Sequence, residues 1–317
     1  MSAGKNRRDR ARPASDPGAT HSDGEARDPF ARYLERLRAV GFHPSTVRGQ
    51  NFLLDPTLHR WIAAEAGVGA SDHVIEIGVG LGFLTRELAA RAAKLLAVEI
   101  EPRLLDIARE DMLGQDNVEW LLADALGGPG NGLAERLVSF AATPPPAPGR
   151  LLVVANLPYS VSGPLLAEMV QLPRVPDSIL VLVQKELGQR LAAACGNERY
   201  GGLSVLVQSC FEAKMLRDVA PGVFRPRPKV VSSVVQLTRR ADLGERLPDP
   251  EARRHFARFV RGLFGQRRKV LRSTVVRAAE GLGWTAPRLA DDLAKKRAEQ
   301  LSVEQLLELF QSCAPAV

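Results

Sequence analysis

Two hydrophobic rhythms divide the chain. Phe30, Leu34, Leu37 and Val40 recur at helical spacing, which predicts a helix in the stretch from Pro29 to about Arg48, ended by Gly41. A second helix is predicted from Pro56 through Ala66. The rhythm then changes to short apolar runs, and Val74–Ile77, Leu95–Glu99, Val118–Leu122, Leu151–Val154 and Ile179–Val183 read as buried strands. Helical stretches alternate with them, one through Thr85–Leu88 and one from Pro102 to about Met112, where proline suits the first turn. A last strand is predicted from Val230 to Leu237. This alternation predicts a doubly wound α/β domain on a mainly parallel sheet. A proline-rich surface loop, Thr143–Gly149, interrupts it. Beyond Pro248–Pro250 the pattern is helical only, carried by Phe256, Phe259, Leu263, Leu289, Leu293, Leu306, Leu307 and Phe310. Three parts are therefore expected: a polar disordered tail over 1–28, an α/β domain over 29–240 and a small all-helical domain over 241–317.

Composition narrows the classes. The formal charge of +7 favours a polyanionic partner. Cys195, Cys210 and Cys313 have neither metal-ligand nor disulfide-framework spacing, so a reduced thiol set and no metal are expected. No apolar run approaches a membrane span, and the N-terminal stretch lacks the apolar core of a secretory signal. A cytoplasmic protein is expected, a monomer by default.

The first chemical signal is Glu76-Ile77-Gly78-Val79-Gly80-Leu81-Gly82, where a strand turns into a helix. Glycines there permit a tight bend and a close ligand. A dinucleotide fingerprint needs glycine three places after Gly80, where Phe83 stands, and a leading carboxylate repels a pyrophosphate. The same acid suits S-adenosylmethionine, which carries an ammonium and a sulfonium. Glu99 ends the next strand, placed to accept from ribose hydroxyls, and Asp124 ends the one after, placed to accept from an adenine amino group. Each acid alone is more often a solvated strand-end residue. Three at successive strand ends beside a glycine turn make a cofactor pocket the better reading.

Asn156-Leu157-Pro158-Tyr159 follows the fourth strand. As a bland pattern it is a turn. Chemically it answers a particular difficulty: the exocyclic amine of adenine is a poor nucleophile, because its lone pair is delocalised into the ring. Accepting its N–H hydrogens on the Asn156 side-chain oxygen and on a main-chain carbonyl, that of Leu157, favours a pyramidal nitrogen. Pro158 fixes the backbone, and Tyr159 offers a face for stacking the base. Phe224 is the candidate for the opposite face, although an isolated phenylalanine is more often core.

With these motifs in hand, the chain resembles the rRNA adenine N6,N6-dimethyltransferases, and within them the bacterial small-subunit (16S) branch. The resemblance runs from about Phe42 to the C-terminus. It is carried by Gly49-Gln50-Asn51-Phe52-Leu53-Leu54-Asp55, Val74 through Thr85, Asn156 through Tyr159, Gln184-Lys185-Glu186, Phe224 through Val230, and Gln266 through Leu271. It implies a Rossmann-like class I methyltransferase domain followed by a helical RNA-binding domain. It adds Asn51 and Leu53 as cofactor contacts and supports Gly78, Glu99, Asp124 and Asn156, beside Glu76, Gly80 and Gly82 of the glycine turn. Two departures stand out, Arg48 for the usual leucine and Val79 for the usual proline; neither removes a group that the chemistry uses.

The helical part supplies the cations for an RNA partner. From Arg253 to Arg277 it holds Arg253, Arg254, Arg258, Arg261, Arg267, Arg268, Lys269, Arg272 and Arg277 with no acid between them. Such a stripe is often a solvated face, but beside an adenine-methylating loop phosphate contact is favoured. Arg225, Arg227 and Lys229 are placed to hold flanking backbone, whereas Lys185 fits either a phosphate or a strand-end ion pair. The expected partner is 16S rRNA in the small subunit or its precursor. The rivals are a large-subunit methyltransferase of the macrolide-resistance type, a non-catalytic assembly factor and a DNA adenine methyltransferase.

Overall fold

The computed structural model describes residues 29–43, 51–128, 132–266 and 268–315. The expected tail, Arg48, Gly49, Gln50, Arg267 and the side chain of Phe30 lie outside the described residues.

Helix α1 (Pro29–Ala39) and a two-residue strand β1 (Phe52–Leu53) lead into α2 (Pro56–Glu65). Asp55 starts α2 by accepting from the N–H groups of Thr57 and Leu58, and Pro56 occupies the first turn, where no N–H is needed. The α/β alternation follows as β2 (His73–Ile77), α3 (Phe83–Ala89), β3 (Lys94–Glu99), α4 (Pro102–Glu110), β4 (Val118–Leu122), α5 (Glu135–Ala142), β5 (Leu151–Asn156), α6 (Ser162–Met169), β6 (Ser178–Gln184), α7 (Lys185–Leu191) and α8 (Gly202–Cys210). Then come β7 (Phe211–Val219), β8 (Phe224–Arg225), β9 (Ser232–Arg239), α9 (Leu243–Arg246), α10 (Pro250–Phe264), α11 (Leu271–Glu280), α12 (Asp291–Lys295) and α13 (Val303–Cys313).

Seven strands form one sheet in the order β4-β3-β2-β5-β6-β9-β7. The five from β4 to β6 are parallel, while β9 runs antiparallel to β6 and β7 antiparallel to β9. All five residues of β2 are buried, as a strand covered by helices on both faces requires. The strand order reverses between β2 and β5, successive strands being added first to one side and then to the other. The carboxyl ends of β2, β3 and β5 therefore open onto one crevice, the usual ligand position in such sheets. Strand β9 begins at Ser232, two residues later than its apolar run suggests, because Val230 and Val231 are exposed in the approach to it. The separate pairing of β1 with β8 brings Phe52 opposite Arg225 and Leu53 opposite Phe224.

One hydrophobic cluster runs from the sheet (Ile75, Val153, Val181) through Tyr200 and Val207 into Phe256, Phe259, Leu306 and Phe310 of the C-terminal helices. Arg253 corrects the sequence expectation that the α10 arginines face outward: it is only 5% exposed. It shares the inner face of α10 with Phe256 and Val260, at helical spacing. Its guanidinium donates to the carbonyls of Leu172 (2.8 Å), Pro173 (3.2 Å) and Leu247 (3.4 Å), tying α10 to the loop after α6. Arg253→Ala leaves these carbonyls without that donor and opens a void. The expected result is a loss of about 3 kcal/mol in urea unfolding, with Arg253→Lys recovering part of it.

Candidate active site

The sequence bends sharply after β2 because Gly78 and Gly80 take positive φ, 81° and 58°. Space demands glycine as well. A Cβ on Gly78 would lie 3.2 Å from Pro158 Cδ and 3.5 Å from the Asn156 carbonyl oxygen. One on Gly80 would lie 3.3 Å from the Phe52 ring. The glycine bend is therefore pressed directly against the Asn-Leu-Pro-Tyr loop on one side and β1 on the other. Gly82 does something different: it starts α3 and packs on Ala108 of α4, and it does not line the cavity.

Around this bend lies a cavity of about 630 Å³. Asn51, Leu53, Glu76, Gly78, Gly80, Glu99, Asp124, Asn156, Leu157, Pro158 and Tyr159 all line it, so the structure gathers nearly every sequence-predicted site residue in one place. Its acidic lining is Glu76, Glu99, Glu101 and Asp124, and among the described residues neither lysine nor arginine lines it. His59 also lines it, and burial lowers that imidazole's pKa, so the ring is neutral at pH 7. A pocket with this charge attracts a cationic ligand and rejects a phosphate.

Glu76 is 1% exposed, and its Oε2 has no hydrogen-bond partner. Desolvation pushes its pKa up to about 8, and the neighbouring Glu99 adds to the shift. Glu99 is held in place by backbone. Its Oε2 accepts from Gly80 N (2.9 Å), and its Oε1 from Ile100 N (2.9 Å) and Glu101 N (3.0 Å). Burial still raises its pKa, and those N–H groups oppose the shift. Its remaining acceptor capacity lies on Oε2, room for one ribose hydroxyl rather than the full pair. One Asp124 oxygen accepts from Leu126 N at 2.9 Å. These features fit S-adenosylmethionine: a glycine bend for close approach, carboxylates for its cationic end and a buried acceptor awaiting a donor.

In the second loop Asn156 Nδ2 donates to the Asn51 main-chain oxygen at 3.4 Å, which turns its Oδ1 the other way. Pro158's carbonyl is taken, accepting from Val161 N (3.2 Å) and Ser162 Oγ (2.9 Å). Tyr159 is braced by a 2.6 Å hydrogen bond between its hydroxyl and Ser232 Oγ, and burial raises its pKa, so the phenol stays protonated.

Phe224 departs from expectation. It is 0% exposed, clusters with Leu53, Leu58, Val219 and Val234, and does not itself line the cavity. Pairing of β8 with β1 turns it into the core, so in this structure it is no clamp for a base. Ring positions at the cavity belong to Tyr159, Phe52, His59 and Phe83. Sequence reading also missed Ile100, a cavity-lining residue left 62% exposed immediately after the strand-end acid. An apolar side chain at a crevice mouth was the available signal. Helix α1 was read only as amphipathic, yet its Tyr33 and Leu37 pack on Leu81 and Leu104, which line the cavity. Arg36 fastens it to Glu110 (2.8 Å) and Asp111 (2.6 Å).

Among the cations, Lys185 resolves as an ion pair with Asp218 at 2.6 Å. Arg225 donates to the carbonyls of Gly222 and Phe224, and Arg258 to that of Gly281. Arg254, Arg268, Lys269, Arg227 and Lys229 are exposed.

Comparison with known proteins places the chain among relatives. The pattern of the family described as "Ribosomal RNA adenine dimethylase" matches residues 44–314. A ribosomal RNA small subunit methyltransferase A from Moorella thermoacetica is 37% identical over 287 residues, 88% of this chain and 95% of that protein. One of the same name from Deinococcus radiodurans is 40% identical over 261 residues, 82% of this chain and 81% of that protein. In fold, a dimethyladenosine transferase from Plasmodium falciparum superposes with a TM-score of 0.62 at 23% identity, over 81% of this chain and 95% of that one. The 23S rRNA methyltransferase ErmE superposes at 0.53 with 26% identity, over 83% and 99%. The cavity, its two loops and these likenesses lead to one conclusion: the chain belongs to the ribosomal RNA adenine dimethylase family.

Proposed function

We propose that the protein transfers methyl groups from S-adenosylmethionine to the exocyclic amines of two adjacent adenines near the 3′ end of 16S rRNA, during small-subunit biogenesis. One observation carries the reading: the glycine bend of the donor pocket and the Asn-Leu-Pro-Tyr loop meet at Gly78 and Pro158 and line a single cavity. When bound, S-adenosylmethionine supplies a methyl group already activated on a sulfonium. The protein's share is to hold and orient.

Glu76, Glu99 and Asp124 receive the donor's ammonium, ribose and adenine groups, and the exposed face of Ile100 supports the donor's purine. Asn156 Oδ1, oriented by the bond from Nδ2 to Asn51, accepts one N–H of the target amine. With the Pro158 carbonyl spent, Leu157 is the main-chain acceptor for the other. Tyr159, fixed through Ser232, stacks the target base. Rate comes from alignment; no strongly basic side chain is required, because the methylated amine loses its proton to water afterwards. The target adenine enters unstacked, which favours a loop or an opened end over intact duplex.

The small-subunit assignment follows the relatives named for that substrate, which align at 37% and 40% identity over most of the chain. We place the enzyme in the cytoplasm as a monomer; no described helix is long and apolar enough to cross a membrane. The helical part from 241 onward carries RNA-contacting cations. Tritium transfer from labelled donor to immature small subunits, followed by nucleoside mass analysis, tests the reading. Dimethyladenosine in small-subunit rRNA is the expected product. Label appearing only in large-subunit RNA, or none at all, overturns it.

A further inference from the structure

Outside the donor cavity a second hollow of about 410 Å³ lies between α6, α8 and α10. Its floor is apolar and tight. Gly202 lets α8 close on α10, since a Cβ there would sit 3.4 Å from Phe264 Cβ. Two exposed guanidiniums stand in its walls, Arg190 at the end of α7 and Arg261 on α10, and among the described residues no carboxylate lines it. Among the described residues Arg261 has a single, long ion pair, 3.8 Å, to Glu168. Among the described residues the Arg190 guanidinium has no ion pair or hydrogen bond. The hollow begins where the catalytic loop ends. Ser160 and Val161 line the donor cavity, and Gly163 and Pro164, in the next turn, line the hollow.

We propose that this hollow seats a nucleotide flanking the target adenine, with its phosphodiester between Arg190 and Arg261 and its base against Phe264 and Pro164. The inference rests on the RNA-methylating reading above. Two guanidiniums beside an apolar slot, one unpaired among the described residues and the other held only loosely by Glu168, match the two halves of a nucleotide. Guanidiniums bind phosphate oxygens in fixed geometry, and a ring beside proline receives a base face without reading its sequence. Placement supplies the remaining argument. A strand whose adenine is inserted beside Tyr159 must pass within a nucleotide or two of the first turn of α6. The slot thus sets the direction in which the strand leaves the active site.

The test uses the full chain, an RNA hairpin whose loop contains two adjacent adenines, and the variants Arg190→Gln, Arg261→Gln and their combination. Arg109→Gln, on the exposed side of α4, is the control. Each lost phosphate contact on a single strand lowers the salt slope of binding by about 0.7, so the double variant is expected to lose about 1.4 from the slope of log Kd against log salt. The KM for the hairpin is expected to rise about tenfold or more, with kcat and donor affinity unchanged. A slope and KM equal to those of the wild type, or an equal change in the control, overturns the proposal. A defect seen on intact subunits but absent with the hairpin overturns it in favour of a protein partner. If the wild type transferred no methyl group to any RNA, the proposed function would fall, while the salt slope would still decide what the hollow holds.

Discussion

Asn156→Ala is expected to lower methyl transfer by at least about 100-fold while leaving donor binding within a small factor of the wild type. The substitution removes the side-chain oxygen that accepts from the target amine, an interaction made fully only as the nitrogen gives up its conjugation. It leaves the glycine bend and the carboxylates of the donor pocket in place. The loss therefore falls on kcat rather than on the donor's Kd. It also removes the 3.4 Å bond to the Asn51 carbonyl, which joins the catalytic loop to the segment before β1. A Ser232→Ala control loosens Tyr159 by removing its 2.6 Å partner and keeps Asn156, so it separates bracing from chemistry. Single-turnover transfer from labelled donor, beside calorimetric donor binding, gives both numbers. Equal loss of binding and turnover in Asn156→Ala would sink the assignment of the amine acceptor.

The parallel part of this fold is legible in the sequence because burial on both faces leaves unbroken apolar runs, as in Leu95 through Val98 and Leu151 through Ala155. Their strand-end acids identify the crevice without coordinates. The antiparallel edge is another matter. Strand β7 has charged residues on its outer positions, among them Glu212, Lys214 and Arg217, and an irregularity between Met215 and Arg217, so its alternation is broken. Helix α8 is hidden for the opposite reason: Ser204 through Val207, Ser209 and Cys210 are all buried, which leaves no polar face to mark a helical period. Phe224 illustrates the limit at the site itself. Its motif neighbours suggest a base clamp, but pairing of Leu53 with Phe224 turns the ring inward, and that pairing joins segments too distant for local pattern to reveal. Arg253 is similar, since a cation on a basic helix reads as solvent-facing until the neighbouring carbonyls are located.

The titration of Glu76 should dominate the stability of the ligand-free protein between about pH 4.5 and 8, and Glu76→Gln should remove most of that dependence. The carboxyl ionises near its ordinary 4.5 in the unfolded chain and at about 8 when folded, because burial disfavours its charged form. A raised carboxyl leaves stability whole below 4.5. The stability then drains away as pH rises, since the unfolded chain releases a proton that the folded chain keeps, and the loss is complete above about 8. The size of the loss is on the order of 5 kcal/mol, large against an ordinary folding free energy. Glu99, Glu101, Asp124 and His59 face the same cavity. Of these, Glu99 is shifted in the same sense, whereas His59, its pKa lowered by burial, acts oppositely. The difference between wild type and Glu76→Gln isolates the one group. Cationic donor reverses the balance, because an ammonium and a sulfonium nearby favour the charged carboxylate. Binding at pH 7 should therefore release close to one proton, measured as a dependence of the calorimetric enthalpy on the ionisation enthalpy of the buffer. In Glu76→Gln that proton disappears, donor affinity falls and ceases to climb from pH 6 to 8, while urea unfolding of the empty variant keeps only the smaller pH dependence left by Glu99 and His59. A wild-type enthalpy independent of buffer would show that the buried carboxyl is already charged before the donor arrives. The orphaned Oε2 would then need a partner other than a proton.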